Sequence, residues 1–245
     1  MEKPEALAQS PVKPFLSYAL IAVLIAVFGC EQLFAVDGPG NWFSTNAQTL
    51  VALGGLTYDR VLHAGEWYRI FSATLLHLNL VHLLFNCVAL YMAGVVLENL
   101  VGRAWFLALF LIGAVSGSLI SLAINPHTVV SVGASGAIMG LLAAGSACSF
   151  RLPKGLGRMR IQIKLLQILI PAMIPLAFIE TGHHADFGAH LGGILSGAIA
   201  GFALLKNWPA AKPLPGYIGL AKVISCAGLA AFAYAAALIT QHYGT

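Results

Sequence analysis

The sequence predicts an all-α fold, a polytopic membrane bundle whose helices cross the bilayer several times. Of its 245 residues 59% are hydrophobic and 9% charged, where ordinary soluble domains carry about 25% charge. Long apolar stretches recur at close to the ~20 residues that a hydrocarbon core demands of a helix. Short loops between them hold most of the basic residues.

Seven stretches qualify in chain order: Phe15 to Val36, Asn79 to Leu97, Ala104 to Ile124, Val132 to Phe150, Ile163 to Phe178, Phe187 to Leu205 and Tyr217 to Ile239. The first is too long for a signal-peptide core and reads as a retained anchor. The residues before it mix Glu2 and Glu5 with Lys3 and Lys13, unlike an acid-poor transit peptide. Between the first two spans, Asp37 to Leu78 carries Trp42, Phe43, Tyr58, Trp67, Tyr68 and Phe71. Amphipathic rings favour the membrane–water boundary, so this loop is expected to lie in the outer leaflet. The segment Lys206 to Pro215, with three prolines and two lysines, reads as a semi-rigid linker to the seventh span. The expected organisation is therefore a tail over residues 1–14, a six-helix core over 15–205, a linker over 206–215, and a seventh helix with a short outer tail over 216–245. No internal repeat of the kind that marks transporters is evident.

Basic residues set the expected orientation, because Lys and Arg are retained on the cytoplasmic side. With the amino terminus inside, Lys3, Lys13, Arg103, Arg151, Lys154, Arg158, Arg160, Lys164, Lys206, Lys212 and Lys222 fall at the inner face, leaving Arg60 and Arg69 outside. The net charge of +4 is then an address and not a nucleic-acid footprint. Cys30, Cys87, Cys148 and Cys226 lack metal or redox spacing and are expected to pack in the apolar interior. No metal or cofactor pattern appears; His183, His184 and His242 are read as interfacial.

Polar residues that could carry chemistry gather at the outer ends of three spans. Ser135, within Gly133-Ala134-Ser135-Gly136, stands at the head of the fourth span. Alone, Gly-x-Ser-Gly more often marks a close helix contact. A serine at a helix N-terminus, however, lies beside unpaired N–H groups and the positive end of the helix dipole, both suited to an oxyanion. His190 heads the sixth span among Gly188, Gly192, Gly193, Gly197 and Gly201, and Gly136 and Gly140 repeat that spacing around Ser135. Small faces of this kind let two helices approach closely, so these two spans are expected to touch. His77, His82 and Asn86 open the second span, with His82 and Asn86 one helical turn apart on one face. They are either oxyanion donors aimed at Ser135 or a polar helix–helix contact.

In this combination and order the residues resemble the rhomboid intramembrane serine proteases. His77, His82 and Asn86 match that family's second-helix motif, Ser135 its Gly-x-Ser-Gly, and His190 its Ala-His-x-x-Gly, within a resemblance running from Phe15 to Leu205. Glu66-Trp67-Tyr68-Arg69 looks like the family's acidic-aromatic-Arg loop element, and Gly94, Glu98 and Gly102 like its Gly-x3-Glu-x3-Gly. One position departs: Met139 stands where relatives often carry an aromatic ring against the catalytic histidine.

The resemblance implies a rhomboid-like six-helix core plus one C-terminal helix and a Ser-His dyad. Ser135 would be the nucleophile and His190 the general base, with His82, Asn86 and the Ser135 N–H holding the oxyanion. The expected function is hydrolysis of single-span membrane proteins near their outer boundary, with no cofactor. Partners would be those substrates and membrane lipids, not nucleic acid, in a bacterial plasma membrane with the C-terminus outside. A silent rhomboid-like binding factor is the rival from another class, and a proton-relay transporter a second. Asp186, four residues before His190, reads as the N-cap of the sixth span and not as a third catalytic member.

Overall fold

The computed structural model describes residues 13–36, 43–173 and 186–243. Among them are nine α-helices: α1 (Phe15–Leu33), α2 (Ala47–Ala52), α3 (Arg69–Ser72), α4 (Leu80–Leu100), α5 (Arg103–Ile124), α6 (Ser135–Cys148), α7 (Leu156–Met173), α8 (Phe187–Lys206) and α9 (Ile218–Tyr243). Five of these, α1, α4, α5, α8 and α9, are long and apolar enough to cross a membrane. The protein is a multi-pass integral membrane protein with an all-helical bundle.

Helix α6 forms the centre. Every residue of it except Ser135 and Ser146 is buried, as befits a helix that is apolar on all sides. It is surrounded by α4, α5, α7 and α8. The expected fourth span, Val132 to Phe150, is longer than this helix, which starts at Ser135 and closes in a 3-10 turn over Ser149–Arg151. Gly133, at φ +118°, and an antiparallel bridge between Leu56 and Ser131 hold the preceding residues outside helical geometry.

The α6–α8 seam explains the glycine spacing. A Cβ at Gly193 would collide with the carbonyl oxygen of Gly136, one at Gly197 with that of Gly140, and one at Gly201 would lie 2.7 Å from that of Ala144. Only glycine permits two backbones to meet so closely.

Two carboxylates fasten helices together. Glu98 of α4 accepts from Ser17 N–H and Ser17 Oγ of α1, both at 2.8 Å, and from Leu16 N–H at 3.2 Å. Gly94, one turn earlier, leaves no room for a side chain beside Ser17, and Gly102 takes φ +79° at the start of α5. The Gly-x3-Glu-x3-Gly spacing therefore serves helix packing. The other is Asp186, which caps α8 by accepting from Ala189 N–H at 2.7 Å.

The loop between α1 and α4 is folded. Arg69 is wholly buried and donates to Glu66 at 2.6 Å and to the carbonyls of Val51 at 2.6 Å and Gly55 at 2.8 Å. It is thus an internal anchor of the acidic-aromatic-Arg element, and not an exposed outer charge. Burial raises the pKa of Glu66, but the hydrogen bond and charge of Arg69, with Tyr68 and Arg60, outweigh it and hold the carboxyl below 4.5. This contribution is present above the unfolded carboxyl's pKa and is lost as pH falls through the depressed folded value.

Helix α9 lies against α5 and α3. Trp105 Nε1 donates to Gly216 O at 2.9 Å, and Phe232 meets Phe71 edge-on at 5.9 Å. The cysteine expectation needs correction. Cys148 is buried and Cys87 half-buried, but Cys30 and Cys226 are exposed on the bundle's outer surface, where lipid replaces protein as the apolar neighbour. Helix α7 begins two turns before the expected Ile163, because Leu156 to Gln162 continue the helical pattern despite their charge. The expected end of that span, Phe178, lies outside the described residues, as do Trp42, His183 and His184.

Candidate active site

Three helix ends converge on the segment Gly133 to Gly136. Asn79 starts α4 by accepting from His82 N–H at 2.8 Å, so His82 stands in the first turn and Asn86 one turn deeper. Both side chains reach over the backbone of Gly133. A Cβ there would lie 2.6 Å from His82 Cε1, 2.8 Å from His82 Nε2 and 3.5 Å from Asn86 Nδ2. Glycine is required both by this approach and by its φ, and Gly133 N–H donates to Ala73 O at 2.9 Å to fix the turn.

Ser135 is the first residue of α6 and is half-buried, with the unpaired N–H groups of the helix start around it. His190 is buried in the first turn of α8. The two helices meet at this level, because a Cβ on Gly136 would lie 3.0 Å from Ala189 O. The residue after Ser135 thus touches the residue before His190. A small pocket next to the Gly133 to Gly136 segment is lined by Thr74, Ser118, Ser131, Val132, Gly136 and Ala189, among others, and not by Ser135 or His190 themselves.

Two polar atoms here are buried without a hydrogen-bond partner among the described residues: Asn86 Nδ2 and His77 Nε2. A buried amide donor left unmade costs about 1–3 kcal/mol, so its place beside the Ser135 segment calls for an acceptor that arrives from outside. His77 is fully buried, and its Nδ1 lies 3.1 Å from Leu75 O. A carbonyl only accepts, so Nδ1 carries the proton and Nε2 is an acceptor. The His77 ring meets His82 edge-on at 5.2 Å.

Asp186 is engaged on both oxygens. Oδ1 accepts from Ala189 N–H and from Asn125 Nδ2 at 2.6 Å; Oδ2 accepts from Ser121 Oγ at 2.7 Å and from Ser131 Oγ. It ties α8 to the end of α5 and to the strip leading into α6, which is more than the cap read from the sequence. Met139 is buried within α6.

The structure thus brings Ser135, His190, His82, Asn86, His77, Gly133 and Gly136 together. Glu66 and Arg69 lie apart in the folded loop, and Glu98 near the opposite end of α4. One buried group escaped the sequence reading: Glu31 of α1, whose carboxyl accepts from His77 N–H. Its signal was available, since an ionisable residue inside an apolar span is costly and usually has a task.

A multi-pass membrane bundle with a serine at one helix start, a histidine at the start of the helix packed against it and a buried amide donor over Gly133 defines a narrow class. Residues 64–207 match the Rhomboid domain family, and the chain belongs to it. It is 32% identical to Rhomboid protease GluP of Bacillus subtilis (strain 168), over 82% of this chain and 37% of that protein. To Rhomboid protease AarA of Providencia stuartii it is 28% identical, over 78% of this chain and 72% of the relative. To the Putative rhomboid protease YdcA of Bacillus subtilis it is 30% identical, over 61% and 73%. The chain spans less than half the length of several curated relatives that it matches, GluP among them.

Proposed function

We propose that this chain is an intramembrane serine endopeptidase that hydrolyses peptide bonds of single-span membrane proteins near their outer boundary. The observation that supports it most is the meeting of α4, α6 and α8 at Gly133 to Gly136, with Asn86 Nδ2 left as a buried donor over Gly133, two residues before Ser135. In this reading Ser135 Oγ attacks the scissile carbonyl while His190 takes its proton. The carbonyl oxygen becomes an oxyanion held by His82, Asn86 and the Ser135 N–H. His190 then returns the proton to the departing amine, and water releases the acyl group by the reverse sequence.

The dimensions of α6 fit such a site. Fourteen residues rise ~21 Å, against ~30 Å of hydrocarbon. With Arg151 at the inner boundary, Ser135 sits below the outer one. The distribution of the basic residues supports an amino terminus inside, in a bacterial plasma membrane. A transmembrane substrate is helical with its carbonyls satisfied internally. It must unwind to present an extended bond, so Gly or Pro near the cut favours it. The family resemblance supports a small residue at the cut.

The test is cleavage of a single-span substrate by purified protein in liposomes. Asn86→Ala is expected to lower kcat about 10²-fold with little change in KM, because an oxyanion donor acts in the transition state. His82→Ala is expected to behave alike. A rise in KM with kcat untouched would assign both residues to substrate contact instead.

Asp186 enters as a brace. Asp186→Ala is expected to lower thermal stability by more than the ~1 kcal/mol of a lost cap, since Ser121, Asn125 and Ser131 lose their acceptor too. The folded fraction is expected to keep kcat within about tenfold of the parent, whereas loss of a triad aspartate costs about 10⁴. Inactivity matching His190→Ala in folded protein would establish a triad.

A further inference from the structure

Helix α1 is apolar along its length, yet Glu31 lies buried at its site end, 1% exposed. A carboxyl group is expensive there unless its oxygens are used. Both are. Oε1 accepts from His77 N–H at 2.9 Å and Oε2 from Thr45 Oγ at 2.9 Å.

These partners belong to two facing strips of chain. Thr45 N–H donates to Leu78 O at 2.8 Å, Leu80 N–H donates to Phe43 O at 2.9 Å, and Ser44 bridges Asn79. Gln32 Nε2 adds a bond to Thr45 Oγ at 3.0 Å. Glu31 therefore grips each strip with one oxygen, immediately before Asn79 caps α4 and sets His82 in its first turn. The register of that turn decides where His82 and Asn86 stand over Gly133, whose backbone is fixed independently through Ala73 O.

We infer that Glu31 is a positioning residue for the oxyanion site: through His77 N–H and Thr45 it fixes the start of α4, and so the reach of His82 and Asn86 toward Ser135. The inference rests on the oxyanion role of those two donors. Glu31 itself touches neither substrate nor the reacting atoms. A displacement of ~1 Å in a catalytic donor costs up to about 10²-fold in rate, so a loosened α4 start is read in kcat. A carboxyl that merely stabilised the bundle would not show this preference.

The test is a set of full-length variants in liposomes with a single-span substrate, each also followed by thermal unfolding. Glu31→Leu leaves His77 N–H and Thr45 Oγ without their acceptor. It is expected to lower kcat by about tenfold or more, with KM within about twofold. Glu31→Gln keeps a carbonyl for His77 N–H and is expected to recover most of the rate. On the Asn86→Ala background Glu31→Leu is expected to cost much less than alone, because residues acting through one another are non-additive. Parental kcat in Glu31→Leu, an undiminished loss on the Asn86→Ala background, or equal damage in Glu31→Gln would each overturn the inference. Should Glu31→Leu fail to fold, Thr45→Val removes one of the two bonds; it is expected to lower kcat in the same direction, and a parental value overturns the inference. Slowing in Asn86→Ala beside parental kcat in Glu31→Leu rejects this inference alone. Parental kcat in Asn86→Ala itself rejects the oxyanion reading and this inference with it.

Discussion

Ser135→Ala and His190→Ala are each expected to reduce cleavage of a single-span substrate to background, a fall of at least about 10⁴-fold, in protein that remains folded. The physical ground is that neither group does its task alone. A serine hydroxyl is a poor nucleophile until a base accepts its proton, and the closeness of Gly136 to Ala189 brings the starts of α6 and α8 to one level. Because the two act as one unit, the double variant is expected to be no worse than either single one. Ser135 is half-buried with no helix cap on its side chain, and at His190, which is buried, alanine keeps the helical backbone of α8 at the cost of some packing, so thermal unfolding is followed alongside cleavage. Additive losses in the double variant would separate the two residues into independent roles.

The second large effect is expected from Gly193→Ala. Its Cβ would run into Gly136 O, with Gly136 C at 2.9 Å and Gly140 N at 3.2 Å. All three are backbone atoms of a helix buried on every side, so no side chain can swing away. Overpacking costs about 1–3 kcal/mol where side chains can yield, and more is expected here. Relief requires α8 to move off α6, which draws His190 away from Ser135. Thermal unfolding and cleavage are both expected to collapse. Gly29→Ala on α1, where nothing lies within 4 Å of the added Cβ, is the control. It is expected to be neutral or slightly stabilising, since alanine is the better helix former. Equal tolerance at Gly193 and Gly29 would contradict the packing described.

The same seam shows what was legible in the sequence. The glycine spacing around His190 and Ser135 announced a close helix pair, because only backbone approach needs glycine at that interval. The His-x4-His-x3-Asn spacing put His82 and Asn86 on one face, and α4 delivers them there. The length of α6 was not legible. Val132 is as apolar as any residue of a span, and the positive φ of Gly133, held by its bond to Ala73 O, with the Leu56–Ser131 bridge, keeps the helix from starting before Ser135; both contacts are tertiary. The element Glu66 to Arg69 was singled out, but the partners of Arg69 were hidden for a related reason. Its burial depends on carbonyls of Val51 and Gly55, far away in the chain, which no local pattern reveals. The hydroxyl and amide donors around Asp186 were hidden in the same way, since Ser121, Asn125 and Ser131 meet it only in three dimensions. Glu31 differs: its cost in an apolar span was visible, but its partners, Thr45 and His77, were not.

Ser135 as an activated nucleophile within a membrane-embedded bundle can be read out by treating the purified protein with a fluorophosphonate, which bonds covalently to activated serines, and locating the modified residue by mass spectrometry. Modification is expected at Ser135, abolished in Ser135→Ala and strongly reduced in His190→Ala, in step with loss of substrate cleavage. Modification at another serine, or cleavage that persists in purified Ser135→Ala protein, would contradict it.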